Sequence, residues 1–180
     1  MIEQTGTQAN HATLLSNWGA VYFAKGDRGQ AKAYLERAIK LHQETGDLAG
    51  EAIVLNSLGA VVHKEQAYEE AKVLFQRALE INRTIGDLGH EGSNLHNLGA
   101  VHASLNDPIA AIQFYSEAIT IRRQIKARRG LTQSLANLAG IAQQLGLDEQ
   151  AAQFLTEAQQ LCVQFDLPQP HNLRVWLEQQ

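Results

Sequence analysis

The chain has 180 residues, 44% of them hydrophobic, and a net charge of −4. That is enough apolar material for a packed core, and the acidic balance argues against a globally basic nucleic-acid binder. A lone Cys162 excludes an intramolecular disulfide. No basic, apolar leader follows Met1 and no run of about eighteen apolar residues occurs, so the cytoplasm is expected, with neither export nor membrane spanning.

A forty-residue register organises the chain. Residues 1–6 come first: Glu3-Gln4-Thr5-Gly6-Thr7 stands one period before Gln43-Glu44-Thr45-Gly46-Asp47, and reads as the remnant of a preceding helix or as a leader. From about Thr7 a first helix carries Leu15, Trp18-Gly19-Ala20 and Val21, one apolar stripe at helical spacing. Gly26-Asp27 turns the chain into a second helix, in which Ala31 and Ala38 frame Leu35. Gly46-Asp47 ends that helix, with the aspartate placed to cap the next one.

The pattern then returns three times. Residues 47–86 carry Leu55, Leu58-Gly59-Ala60 and Val61, a turn at Gln66, then Ala71, Phe75 and Ala78, and close at Gly86-Asp87. Residues 87–126 carry Leu95, Leu98-Gly99-Ala100 and Val101, a turn at Asn106-Asp107 with Pro108 suited to a first helical position, then Ala111, Tyr115 and Ala118. Residues 127–166 carry Leu135, Leu138-Ala139-Gly140 and Ile141, a turn at Gly146, then Ala151, Leu155 and Ala158. Small residues at fixed points let paired helices approach, and bulky ones fill the space between. Past residue 166, Pro168 and Pro170 break the helix. Leu173, Trp176 and Leu177 then make a short stripe within 167–180, read as a cap on the last repeat, with self-association through Trp176 as the other reading.

A period of this length means units that bury their apolar faces only against neighbours, which is a solenoid. The leucine-glycine pair of the first helix and the two alanines framing Leu35, Phe75, Tyr115 or Leu155 in the second resemble the tetratricopeptide repeat over residues 7–166. HEAT and armadillo repeats have a similar length but would not be expected to carry this framework. The resemblance implies an all-α, right-handed superhelical solenoid of four helix-turn-helix repeats with a short C-terminal capping helix. The usual unit is about 34 residues, closed by a proline that is absent here. The six added residues are therefore expected to lengthen the second helix by about 9 Å, at ~1.5 Å each. This long form is similar to Pins-type scaffolds, kinesin light chains and bacterial signalling proteins with tetratricopeptide arms.

In that family the residue two before the glycine faces a concave groove, which implies Asn17, Ser57, Asn97 and Asn137 as ligand contacts. Helices ~8–10 Å apart and an extended peptide rising ~3.3 Å per residue bring this column to a threaded chain at about every third residue. An asparagine amide offers both donor and acceptor, as a peptide group requires; solvated amides on an exposed face are the alternative. Asn56 and His96, one residue earlier in their repeats, and Ser93 and Gln133, nearer the helix start, complete the implied groove. Its columns are almost wholly neutral, which argues against a chaperone-tail carboxylate clamped by lysine and arginine. Ala20, Ala60 and Ala100 stand where a Pins-type array would have asparagine, and Ser93 where it tends to have arginine, so that family's partner is not carried over.

Arg122, Arg123, Lys126, Arg128 and Arg129 form a window without acids, against a net charge of −9 on the rest of a chain whose total is −4. The first three complement the C-terminal end of a helix dipole. Arg128 and Arg129 stand at a helix start, where positive charge is misplaced, and make the window a candidate patch for an acidic protein or nucleic acid, with a solvated junction as the other reading.

Signals for chemistry are absent by comparison. The seven histidines form no i, i+4 pair and have no carboxylate or cysteine at ligand spacing, so no metal is expected. The run Gly86-Asp87-Leu88-Gly89-His90-Glu91-Gly92 looks like a phosphate loop but follows a helix, and its acids would repel phosphate. No nucleophile lies in a recognisable setting, and Cys162 reads as a small buried thiol. The sequence describes a non-enzymatic module without cofactor that binds a peptide segment of a protein partner; the rival reading is an architectural arm of a larger signalling protein.

Overall fold

The structure, a computed structural model, describes the backbone of residues 2–178 and the side chains of residues 10–178. Among the described residues the regular elements are all α-helices: α1 (Ile2–Ala24), α2 (Arg28–Thr45), α3 (Leu48–Lys64), α4 (Tyr68–Ile85), α5 (Leu88–Ser104), α6 (Pro108–Gln124), α7 (Arg128–Gln144), α8 (Asp148–Phe165) and α9 (His171–Leu177). None of them is long and apolar enough to cross a membrane. The contacts divide the chain into two compact units, Met1–His90 and Glu91–Gln180. In the first, α1 packs on α2, α2 on α3 and α3 on α4. In the second, α6 packs on α7 and α7 on α8, while α9 lies against both α7 and α8.

Two residues do most of the punctuation at each break between repeats. Gly46 takes φ 69°, its N–H donates to the Gln43 carbonyl, and the Asp47 N–H donates to the His42 carbonyl at 2.9 Å, which satisfies the last carbonyls of α2. The Asp47 carboxylate then accepts from the Gly50 N–H at 2.9 Å and opens α3. Gly86 and Asp87 do the same between α4 and α5, with Asp87 accepting from the His90 N–H at 3.0 Å. At the equivalent later positions Lys126 (φ 57°) and Asp166 (φ 49°) hold the left-handed conformation without the freedom of glycine. Inside the repeats Asp27 and Asp107 cap α2 and α6, and Pro108 occupies the first helical position.

The added six residues do not go to the second helix alone. First helices α3, α5 and α7 have 17 residues, and second helices α2, α4, α6 and α8 have 17 or 18. The physical reason is side-by-side packing: a second helix outgrowing its partner would carry an apolar end with nothing to cover it. Residues 3–7 form the first turns of α1, which continues through Gly6 with no break of the kind seen at Gly46.

The framework columns form the core. Ala31, Ala71, Ala111 and Ala151, with Ala38, Ala78, Ala118 and Ala158, are fully or almost fully buried, as are Leu35, Phe75, Tyr115 and Leu155 between them. A Cβ on Gly59 would lie 2.7 Å from Phe75 Cε1, and one on Gly99 would lie 2.9 Å from Tyr115 Cδ1, so the glycine column sets how closely paired helices approach. In the fourth repeat the glycine stands one residue later, where α9 uses the space. Asn172 Nδ2 donates to the Ala136 carbonyl at 3.1 Å and would stand 3.1 Å from a Cβ on Gly140. Leu173 is wholly buried there, with Trp176 and Leu177 packed against the same core.

Candidate peptide-binding surface

The second unit shows how a first helix presents polar side chains. α7 is held between α6 and α8 and is flanked by α9. Leu135, Ala136, Leu138 and Ala139 are buried, whereas Gln133 is exposed and Asn137, one turn on, is half-buried. Two amides therefore share one face of the helix. Asn137 Nδ2 donates to the Tyr115 hydroxyl on α6 at 3.4 Å, a long bond that leaves a second N–H and the carbonyl for other partners. Burial pushes the Tyr115 phenol up to about 12, opposed by the Asn137 contact, so it stays neutral at physiological pH.

His96, half-buried on α5, is held by its neighbours. Its ring packs edge-on to Tyr115 with centroids 5.3 Å apart, and Nδ1 lies 2.9 Å from Ser134 Oγ and 3.2 Å from Arg122 Nη1. Arg122 is buried, donating from Nη1 to the Gly130 carbonyl at 2.7 Å and to Ser134 Oγ at 2.5 Å. Burial first, and the Arg122 charge second, hold His96 down to about 3 and therefore neutral, with Nδ1 accepting. Burial also lowers Arg122 to about 10, which leaves it cationic at neutral pH. Gly130 makes room for it, since a Cβ there would lie 2.8 Å from Arg122 Nε. The signal was in the sequence: Gly130 follows Arg122 by eight residues as Gly50 follows His42, and a Cβ on Gly50 would strike the His42 ring. Ser134 is the network member that sequence reasoning did not single out, and Tyr115 was read only as a framework residue.

The other groove positions divide by unit. In the first, Asn17 on α1 is exposed, while Asn56 and Ser57 on α3 are half-buried; Ser57 Oγ donates back to the Ile53 carbonyl at 3.0 Å. In the second, Ser93 and Asn97 on α5 are half-buried.

The five cations from Arg122 to Arg129 do not make one free patch. Arg122 is interior, Arg123 donates to both carboxylate oxygens of Glu157 at 2.8 Å, and the Arg128 guanidinium lies 3.9 Å from the centre of the Phe165 ring. That cation–π contact explains an arginine at a helix start. Lys126 and Arg129 remain exposed. Among the described residues no group of three or more histidine, cysteine or acidic side chains could hold a metal. Cys162 is buried, its Sγ 3.8 Å from the Pro168 carbonyl, and burial pushes the thiol up, away from a reactive thiolate.

No curated protein sequence matches the chain significantly. Solved structures do. BtubC (BKLC) from P. vanneervenii superposes with a TM-score of 0.80 at 21% identity, covering 89% of this chain and 66% of its own. A Rap protein in complex with Competence and Sporulation Factor gives a TM-score of 0.81 at 16% identity, covering 88% and 44%. A putative kinesin light chain with nearly identical repeats from Podosopora anserina gives 0.71 at 15%, covering 86% and 76%. At these identities the likeness is one of fold, and the chain spans less than two thirds of BtubC and of the Rap protein. A family model for the tetratricopeptide repeat matches residues 10–84 and again 51–124, in register with the columns of apolar and small residues traced above. The chain belongs to the tetratricopeptide repeat family.

Proposed function

We propose that the chain is a non-enzymatic protein-interaction module that holds a peptide segment of a partner along the first helices of its repeats. The observation that carries this reading is the face of α7: Gln133 is exposed and Asn137, one turn on, is half-buried, while their neighbours Leu135, Ala136 and Leu138 are buried. Amides with spare donors and acceptors on a rigid, packed helix suit the backbone of an extended peptide. Asn17 is placed likewise on α1, and Asn56, Ser57, Ser93 and Asn97 occupy the same side of the repeat register. His96 contributes by fixing Tyr115 and Ser134 behind that surface. Family membership supports protein binding as the general role, and one structural neighbour carries a bound factor.

The test is selection of peptides from a displayed library on the whole chain, followed by calorimetry with the selected sequence. The double substitution Gln133→Ala, Asn137→Ala is expected to weaken binding by about 5-fold or more, since each hydrogen bond is worth ~0.5–1.5 kcal/mol. Selection of no peptide, or equal affinity for the double variant, would overturn the reading.

A further inference from the structure

The outer face of α1 is built as an interface, and none of the described residues covers it. In the first unit the equivalent face of α3, which packs on α2, consists of Val54, Leu58 and Val61, exposed by only 1%, 4% and 1%. In the second unit the same positions of α7 are Ser134, Leu138 and Ile141, all buried, and the Arg122–Ser134 hydrogen bond shows that this face meets the preceding second helix, α6. On α1 these positions, i, i+4 and i+7, are Leu14, Trp18 and Val21, exposed by 53%, 44% and 41%. Trp18 extends the surface into a cluster with Tyr22 and Tyr34, whose rings stack 5.3 Å apart. Three large apolar side chains in one helical row exceed the scattered exposure that needs no explanation.

The charges beside this face say what would cover it. In the first unit Gln43, near the end of α2, donates to Glu51 on α3 at 2.9 Å. In the second, Arg123 at the same position of α6 donates to Glu157 on α8 at 2.8 Å. One residue of the covering helix thus meets an acidic acceptor at one or other of two places. For α1 and α2 the residues at those two places are His11 and Arg37, both exposed, with Arg37 set over the Tyr34 ring at 6.0 Å. Glu51 also accepts from Arg77, the counterpart of Arg37 one repeat on, and His11 stands where that carboxylate would be. A covering helix with a carboxylate where α2 has Gln43 and α6 has Arg123 would supply the acid that His11 replaces. None of α2, α4, α6 and α8 does so, because that position holds Gln43, Arg83, Arg123 or Val163. None of these supplies the acid, so a second copy is a poor occupant.

We propose that the Leu14, Trp18, Val21 face docks an amphipathic helix of a partner protein, laid on α1 as α2 lies on α3, with a glutamate or aspartate paired to Arg37 and His11. This proposal does not depend on the peptide reading above.

The probe is a synthetic, side-chain-stapled helix with the sequence of residues 28–45, in which Gln43 is replaced by glutamate, compared with one in which it is replaced by arginine. The whole chain carries Trp176→Phe, so that Trp18 is the single emitter, and labelled-peptide anisotropy on the unsubstituted chain gives a second reading. A blue shift of Trp18 emission is expected, with at least about 10-fold tighter binding of the glutamate peptide and reversal of that preference by Arg37→Glu. Val21→Asp should abolish binding with helicity unchanged, since its side chain is exposed. Absence of binding, equal affinity for the two peptides, or a concentration-dependent dimer that Val21→Asp dissociates would overturn the proposal.

Discussion

Arg122 and Arg123 are neighbours in sequence and opposites in energetics. Arg123 makes an exposed pair with Glu157, and such pairs contribute ~0–1 kcal/mol. Arg122 is buried, and its hydrogen bonds go to neutral partners, the Gly130 carbonyl, Ser134 and His96. Arg122→Ala would strip the Gly130 carbonyl and the Ser134 hydroxyl of a charged donor, so urea unfolding should show a loss of about 2 kcal/mol or more, against less than about 1 kcal/mol for Arg123→Ala. His96 makes the same site sensitive to pH. Its folded value, about 3, lies below the unfolded value of 6.5. Between these limits the unfolded chain binds the extra proton, so the contribution of His96 is complete above about pH 6.5 and is lost as pH falls towards 3. The slope is at most about 1.4 kcal/mol per pH unit. His96→Gln should flatten this part of the stability profile, measured by urea midpoints from pH 7 to pH 4. An unchanged slope would mean that the acid sensitivity arises elsewhere.

At the scale of elements, each helix pair is set by a small residue facing a large one, and the fourth repeat shows what a one-residue displacement of glycine does. Ala139 takes the column that Gly19, Gly59 and Gly99 hold in the other repeats, and Gly140 receives the Asn172 amide of α9 instead. The stripe Leu173, Trp176, Leu177 was legible as a helix with one apolar side. The hydrogen bond that locks it, from Asn172 to the Ala136 carbonyl, was not, because nothing local in either segment requires the other. Gly140→Ala forces Asn172 aside. Hydrogen exchange is expected to rise by about tenfold or more across α9, with little change in α7, whose own backbone bonds are undisturbed. Equal protection of α9 in the variant would show that Leu173 alone holds it.

Taken whole, the chain is a series of like units whose energetics depend on what lies next to each. In the second unit the outermost face of α7 and α8 is covered by α9, which buries Leu173 completely. Burying one leucine is worth ~1.5–3 kcal/mol, and ~1 kcal/mol moves a melting midpoint by about 2–4 °C in a chain of this size. Removing residues 167–180 should therefore lower the midpoint by roughly 5–10 °C in a circular-dichroism melt. A midpoint unchanged by the truncation would mean that α9 is peripheral to the folded unit. In the first unit the equivalent outer face, on α1, has no such cover among the described residues, and its apolar row is correspondingly exposed.

The sequence by itself determined the number and kind of elements, their breaks at Gly46-Asp47 and Gly86-Asp87, and the framework columns, because each of these is written in spacing within one repeat and every repeat writes it again. It also put Gln133 and Asn137 on one face of α7, by their spacing. Tertiary structure alone decided what each face meets. A cation window became one buried arginine, one surface ion pair and one stacked guanidinium only because Gly130, Glu157 and Phe165 stand opposite. Packing turned His96 inward against Tyr115 and left Trp18 outward. Periodicity fixes the direction of a side chain, but its environment depends on residues one repeat away, where the pattern allows several side chains and only packing selects among them.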